Sequence, residues 1–210
     1  EALTIDIDEM AVPLPRRIRG QVRVYPRSRT QSAHTIDSNG KHHWWPIAPR
    51  ARVELDMRQP ELSWRGRGYL DHNRGGEPLE AGFRHWTWSR ADLPEGQAAV
   101  LYDMTRADGS EASLALRFAA DGTAEAIDPP PVAKLPTTGW RIGRHTRADP
   151  GATTYVAATL EDTPFYARSV VATRWLDNPV MAVHESLSLT RFRSPIVRAM
   201  LPFRMPRKRA

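Results

Sequence analysis

The chain of 210 residues contains no cysteine. That absence removes a disulfide scaffold, a thiolate zinc site and a cysteine nucleophile together. The hydrophobic stretches are short and broken by charge or proline, so no run reaches the length of a membrane-spanning helix. The histidines show no His-Glu-x-x-His or related spacing, and no metal site is expected. Acidic residues are missing from one region only. From Arg191 onward there are seven cations (Arg191, Arg193, Arg198, Arg204, Arg207, Lys208 and Arg209) and no acid. With a formal net charge of +6 for the whole chain, residues 1–190 are close to neutral, and the basicity belongs to the tail. An initial methionine is also lacking. Glu1 opens what reads as a strand (Leu3 to Asp8), so N-terminal sequence is expected to precede it.

A hydrophobic content of 40% indicates a globular chain. Strand-like runs dominate, bounded by Gly, Pro, Asp and Asn. They include 21–25, 51–57, 62–70, 82–88, 98–105 and 111–118, then 123–127, 139–146, 153–159, 166–175 and 180–189. Arg106-Ala-Asp-Gly-Ser and Asp121-Gly122 carry hairpin chemistry. No segment before residue 191 shows a capped helical stripe. The reading is therefore an all-β, antiparallel barrel or sandwich.

The richest stretch runs from Trp64 to Gly76, Trp-Arg-Gly-Arg-Gly-Tyr-Leu-Asp-His-Asn-Arg-Gly-Gly. In an extended chain Tyr69, Asp71 and Asn73 point one way, because side chains alternate faces. His42 and Trp44 form a second such pair upstream, in Lys-His-His-Trp-Trp-Pro. Two pairs of this kind suit acid–base work on an apolar substrate. Plainer readings compete with this one. Arg65 and Arg67 share the predicted face of Asp71 and would make it an ion-pair partner with a lowered pKa. His42 and Trp44 could be a packed strand pair, Asn73 to Gly76 reads first as a turn, and Trp86 and Trp88 are candidates for plain packing.

His42 to Pro49, Trp64 to Gly76 and Phe83 to Ala91 together resemble the carotenoid 1,2-hydratase family, also called hydroxyneurosporene synthases. The similarity runs from about residue 1 to about residue 190. The resemblance implies a calycin-like architecture of two lipocalin-like β-domains. Residues 1–45 would then be the end of the first domain, 46–190 the second, and 191–210 a basic amphipathic tail. It also implies that a His-x-Trp and a Tyr-x-Asp pair are catalytic. These fall on His42 with Trp44 and on Tyr69 with Asp71, and His43 with Trp45 is the alternative register for the first pair. Trp45, Trp64 and Asn73 are expected to line the substrate site.

The implied reaction adds water across the terminal C1–C2 double bond of an acyclic carotenoid. An isolated alkene is a poor base, so Asp71 must be a neutral acid although an ordinary Asp titrates near ~4. Burial in an apolar pocket raises such a group. Tyr69 would orient the acid, Trp44 would face the tertiary cation and His42 would take the proton of the attacking water. The reaction moves no electron, so no redox cofactor or metal is expected. The basic tail suits an anionic membrane surface, which implies a cytoplasmic, peripherally membrane-associated enzyme. Nucleic-acid binding is not expected, since no recognition motif accompanies the charge. An isoprenoid cyclase or isomerase on the same scaffold, or a non-catalytic carotenoid or lipid carrier, are the alternative functions.

Overall fold

The computed structural model describes residues 1–11 and 14–201. The segment 202–210, which holds four of the seven cations of the expected basic tail, lies outside the described residues. The chain before it folds into antiparallel sheets, as its alternating runs predict.

One sheet is built from β1 (Leu3–Ala11), β2 (Arg16–Pro26), β3 (His34–Thr35), β4 (His42–Gln59) and β5 (Glu61–Gly75). Its path is β1-β2-β4-β3, with β5 on the other edge of β4. Strand β4 is long for a strand, at 18 residues, and carries Pro46 and Pro49 inside it. Proline has no N–H to give a ladder, so it settles at irregularities. The register of β4 with β5 shifts between Trp45 and Ala48 and again between Ala48 and Ala51, where these prolines fall. The bulges let one edge of β4 serve β3 at its start and β2 further on.

A short helix, α1 (Leu79–Gly82), leads to the second sheet. This comprises β6 (Phe83–Asp92), β7 (Ala98–Arg106), β8 (Glu111–Phe118) and β9 (Ala124–Ala126). A separate hairpin, β10 (Val132–Leu135) with β11 (Arg144–Arg147), follows. Then β12 (Tyr155–Asp162), β13 (Tyr166–Trp175) and β14 (Asn178–Ser188) complete the seven-stranded order β12-β13-β14-β6-β7-β8-β9. The expected hairpins at 106–110 and 121–122 are present, with Gly109 and Gly122 at positive φ. The run predicted as a strand over 139–146 is extended only from Arg144. Before it, Arg141 has φ 56° and its N–H donates to the Thr138 carbonyl, so the chain turns there. Among the described residues the sheets do not close on themselves, so the barrel alternative gives way to an open two-sheet arrangement.

The second sheet has two unlike faces. One carries Trp88, Val100, Tyr102, Met104, Leu116 and Phe118, packed with Ile36, Trp44, Phe83 and Tyr69. The other places small apolar residues beside a buried polar network. There the Ser89 hydroxyl is 2.8 Å from His184 Nδ1 and 3.1 Å from Thr146 Oγ1, and His184 Nε2 is 3.1 Å from Ser186 Oγ. The chain ends its described part in α2 (Leu189–Phe192) and α3 (Pro195–Met200). No helix among the described residues is long and apolar enough to cross a membrane.

Candidate active site

The site lies where the β4–β5 hairpin faces the aromatic side of the second sheet. Alternation along β5 puts Tyr69 and Asp71 on one face, and alternation along β4 does the same for His42 and Trp44. The Trp44 indole N–H donates to Asp71 Oδ2 at 2.8 Å. Trp44 is fully buried and meets Tyr102 edge-on, with ring centroids 5.7 Å apart. Tyr69 lies against Trp88 at 5.1 Å. Asp71 is thus held in a frame of aromatic rings contributed by β4, β5, β6 and β7.

Burial pushes the Asp71 carboxyl above the usual range, and the indole donor of Trp44 and the neighbouring Tyr69 only partly offset it. The charge of Glu185 adds to the rise. Tyr69 itself is raised far above an ordinary phenol, first by burial and then by the carboxyl of Asp71. Its hydroxyl stands beside Asp71 but has no hydrogen-bond partner of normal geometry, and the Trp88 indole N–H is likewise buried and unpartnered. Uncommitted buried polar atoms are rare in folded proteins and mark places where a ligand or water is received. Arg65 and Arg67 do not pair with Asp71. They go to Glu54 and Asp92, at 3.3 and 3.4 Å, so the ion-pair reading of this acid is set aside.

His42 is positioned by a tight turn. The Asp37 carboxylate accepts from the backbone N–H groups of His42, Lys41 and Asn39, and Ile36 N–H donates to the His42 carbonyl. The imidazole is 1% exposed and meets Phe83 edge-on at 5.2 Å. Neither ring nitrogen has a hydrogen bond, and the nearest carboxylate is Glu77, 3.8 Å from Nε2. The structure does not bring His42 into contact with Asp71. His42 pairs with Gly75, four positions along β5 from Asp71, which is roughly 13 Å by strand rise.

Two glycines make the room for that ring. A Cβ at Gly75 would come within 2.5 Å of His42 Nδ1, and one at Gly82 within 2.8 Å of Nε2. Gly82→Ala should therefore displace the imidazole and destabilise the fold by about 1–3 kcal/mol, the usual effect of overpacking. Urea unfolding and the His42 ring resonances check this; an unmoved ring with unchanged stability would contradict it.

The remaining expected residues are dispersed. Trp45 points to the opposite side of β4 from Trp44 and donates its indole N–H to Thr30. Asn73 pairs with Trp44 across the strands but is exposed. Trp64 is 46% exposed and pairs with Leu55, seven residues and roughly 23 Å of strand from Asp71. Trp64 is thus not a wall of this site. Conversely, Trp88, Tyr102 and Glu185 are brought to Asp71 by the sheet. Trp88 was read from the sequence as packing, and the other two carried no signal there. Among the described residues no three His, Asp or Glu side chains converge to hold a metal ion.

Fold and site together define a class: a lipocalin-like, antiparallel β protein with a raised, protonatable carboxyl enclosed by aromatic rings between two sheets. The family model described as carotenoid hydratase CrtC matches residues 1–210, and the chain belongs to that family. Over 207 residues it is 55% identical to an acyclic carotenoid 1,2-hydratase of Thiocapsa roseopersicina, covering 98% of this chain and 51% of that protein. Over 208 residues it is 46% identical to the protein of the same name from Rubrivivax gelatinosus, covering 99% and 51%. The chain thus spans about half the length of these curated relatives. Among solved structures, CghA superimposes with a TM-score of 0.57 at 11% identity, over 89% of this chain and 64% of that one. A protein assigned as AttH from Nitrosomonas europaea gives 0.51 at 15%, over 88% and 68%. These two show likeness of fold alone.

Proposed function

We propose that this chain carries the acid–base site of an enzyme that hydrates the terminal C1–C2 double bond of an acyclic carotenoid. The observation that carries this reading is Asp71, a carboxyl raised by burial, gripped by Trp44 and framed by aromatic rings. The names of the relatives support the substrate class.

Asp71 gives its proton to C2 of the terminal isoprenoid unit, leaving a tertiary cation at C1. The rings of Trp44, Trp88 and Tyr102 near Asp71 would face that cation, and a desolvated cation against such a face gains on the order of 2 kcal/mol. Water adds at C1, and the oxonium loses its proton to His42, whose nitrogens are free of other bonds. Glu77 lies near enough to offset the imidazolium charge. His42 lies roughly 13 Å by strand rise from Asp71, so the oxonium proton reaches it through a relay of water and not by direct contact. A proton from solvent reloads Asp71, and no electron is transferred. The membrane contact of the C-terminal region belongs to the same proposal. Ile196 and Leu201 are 74% and 50% exposed at the short α3, beside Arg198.

The test supplies lycopene or neurosporene to the full-length protein in membranes, in oxygen-labelled water. A product heavier by one labelled water is expected. A cyclised or isomerised polyene without label would make it a cyclase or isomerase, and a polyene bound unchanged would make it a carrier.

A further inference from the structure

Directly paired residues on neighbouring strands point to the same face of a sheet. In the second sheet Arg168 pairs with Glu185, Glu185 with Trp88, and Trp88 with Tyr102, which makes one row across β13, β14, β6 and β7. Trp88 and Tyr102 are the rings that meet Tyr69 and Trp44, the two neighbours of Asp71. The row therefore sets Glu185 beside Trp88 on the face that covers Asp71. Glu185 is anchored there, since Arg168 Nη2 is 2.8 Å from its carboxylate and Arg168 Nε donates to both Glu185 and the Tyr166 hydroxyl.

We propose that the Arg168–Glu185 pair is a positioning element of this site, with Glu185 acting on Asp71 across the gap between the sheets as its negative neighbour. The inference rests on Asp71 being the acid of the proposed reaction. An alkene is protonated only by a carboxyl that still holds its proton, and a second carboxylate nearby makes losing that proton costlier. Among the described residues the groups on the two sheet faces that meet at Asp71 are His34 from β3, Trp44 from β4, Tyr69 from β5, Trp88 and Arg90 from β6, Tyr102 from β7, Tyr166 and Arg168 from β13, and Glu185 from β14. His34 packs on the Trp44 ring and its pKa is lowered by burial. Arg90, the second cation of this set, is committed to the Pro49 carbonyl and to Asp92. Tyr69, Tyr102 and Tyr166 are all raised, by burial first. Glu185 is thus the carboxylate that faces Asp71 among them, and its charge adds to the rise of Asp71.

The test follows the Asp71 carboxyl directly by infrared titration, assigned with Asp71→Asn, and follows turnover against pH in the full-length enzyme. In Glu185→Gln the Asp71 titration should move down by about one pH unit, a tenfold loss of protonated acid above its pKa. The alkaline limb of kcat should move with it, while the rate at low pH and KM stay as in the wild type. Glu185→Asp should restore most of the shift. A titration and a profile that superimpose on the wild type would overturn the proposal, as would an equal loss at every pH. Should the wild type hydrate no carotenoid, the infrared shift alone still decides the role of Glu185, so the two readings fail separately.

Discussion

In the proposed reaction, replacing Asp71 by Asn should lower carotenoid hydration by the full-length protein about 10³-fold, within the range general acids contribute, while leaving the fold intact. Asn matches the shape of Asp and keeps an oxygen to accept from the Trp44 indole N–H, so the 2.8 Å bond can survive. The substitution removes the one thing an alkene needs, a transferable proton. Linkage predicts the sign of its effect on stability. The folded-state pKa of Asp71 lies above the unfolded one, so ionising it costs stability as pH rises past the unfolded value. Asn has no charge to desolvate, and the variant should be as stable as the wild type or more so at neutral pH. Turnover in labelled water together with a urea midpoint checks both halves. An inactive variant that has also lost stability would point to a structural role, and a fully active one would remove Asp71 from the mechanism.

Acid should unfold the protein through the opposite face of the second sheet. His184 is fully buried, and burial takes its pKa down to about 3; His85 is lowered to about 4, again by burial first and then by His145. Both are neutral in the fold and protonate readily in the unfolded chain, near the ordinary value of 6.5. The unfolded state therefore binds more protons as pH falls below about 6.5, and stability declines until the folded-state values are reached. For His184 the loss amounts to roughly 3–5 kcal/mol, a large part of the stability of an ordinary domain. Urea midpoints at pH 7 and pH 5 should differ clearly in the wild type and less in His184→Gln. An unchanged pH dependence in the variant would assign the acid sensitivity to other groups.

How much of this was legible beforehand follows from the range of each interaction. Strand runs and glycine hairpins are local, and so is the alternation that puts Tyr69 with Asp71 and His42 with Trp44. The break between the runs 166–175 and 180–189 is legible, but the tight form of the β13–β14 turn is not, because its two left-handed residues, Leu176 and Asp177, are not glycines. The Asp149 carboxylate accepts from both of their N–H groups, and that support is distant in sequence. Trp64 was drawn into the site because it is near Asp71 in sequence. In a single strand from Glu61 to Gly75 the two are far apart and on opposite faces. Glu185 went unread for the converse reason. Its place beside Trp88 depends on β14 pairing with β6, two segments some ninety residues apart in the chain.

The enclosure of His42 by Gly75 and Gly82 has a consequence for how relatives of this chain can vary. Neither glycine carries chemistry, yet each occupies space that a methyl group would take from the imidazole. Across the family the three positions should drift as one unit. Where a relative replaces the histidine by something smaller, alanine or serine becomes admissible at the other two. Where the histidine stays, the glycines should stay with it. A pair of silent residues thus becomes the sequence mark by which a relative that keeps the enclosed imidazole can be told from one that has lost it.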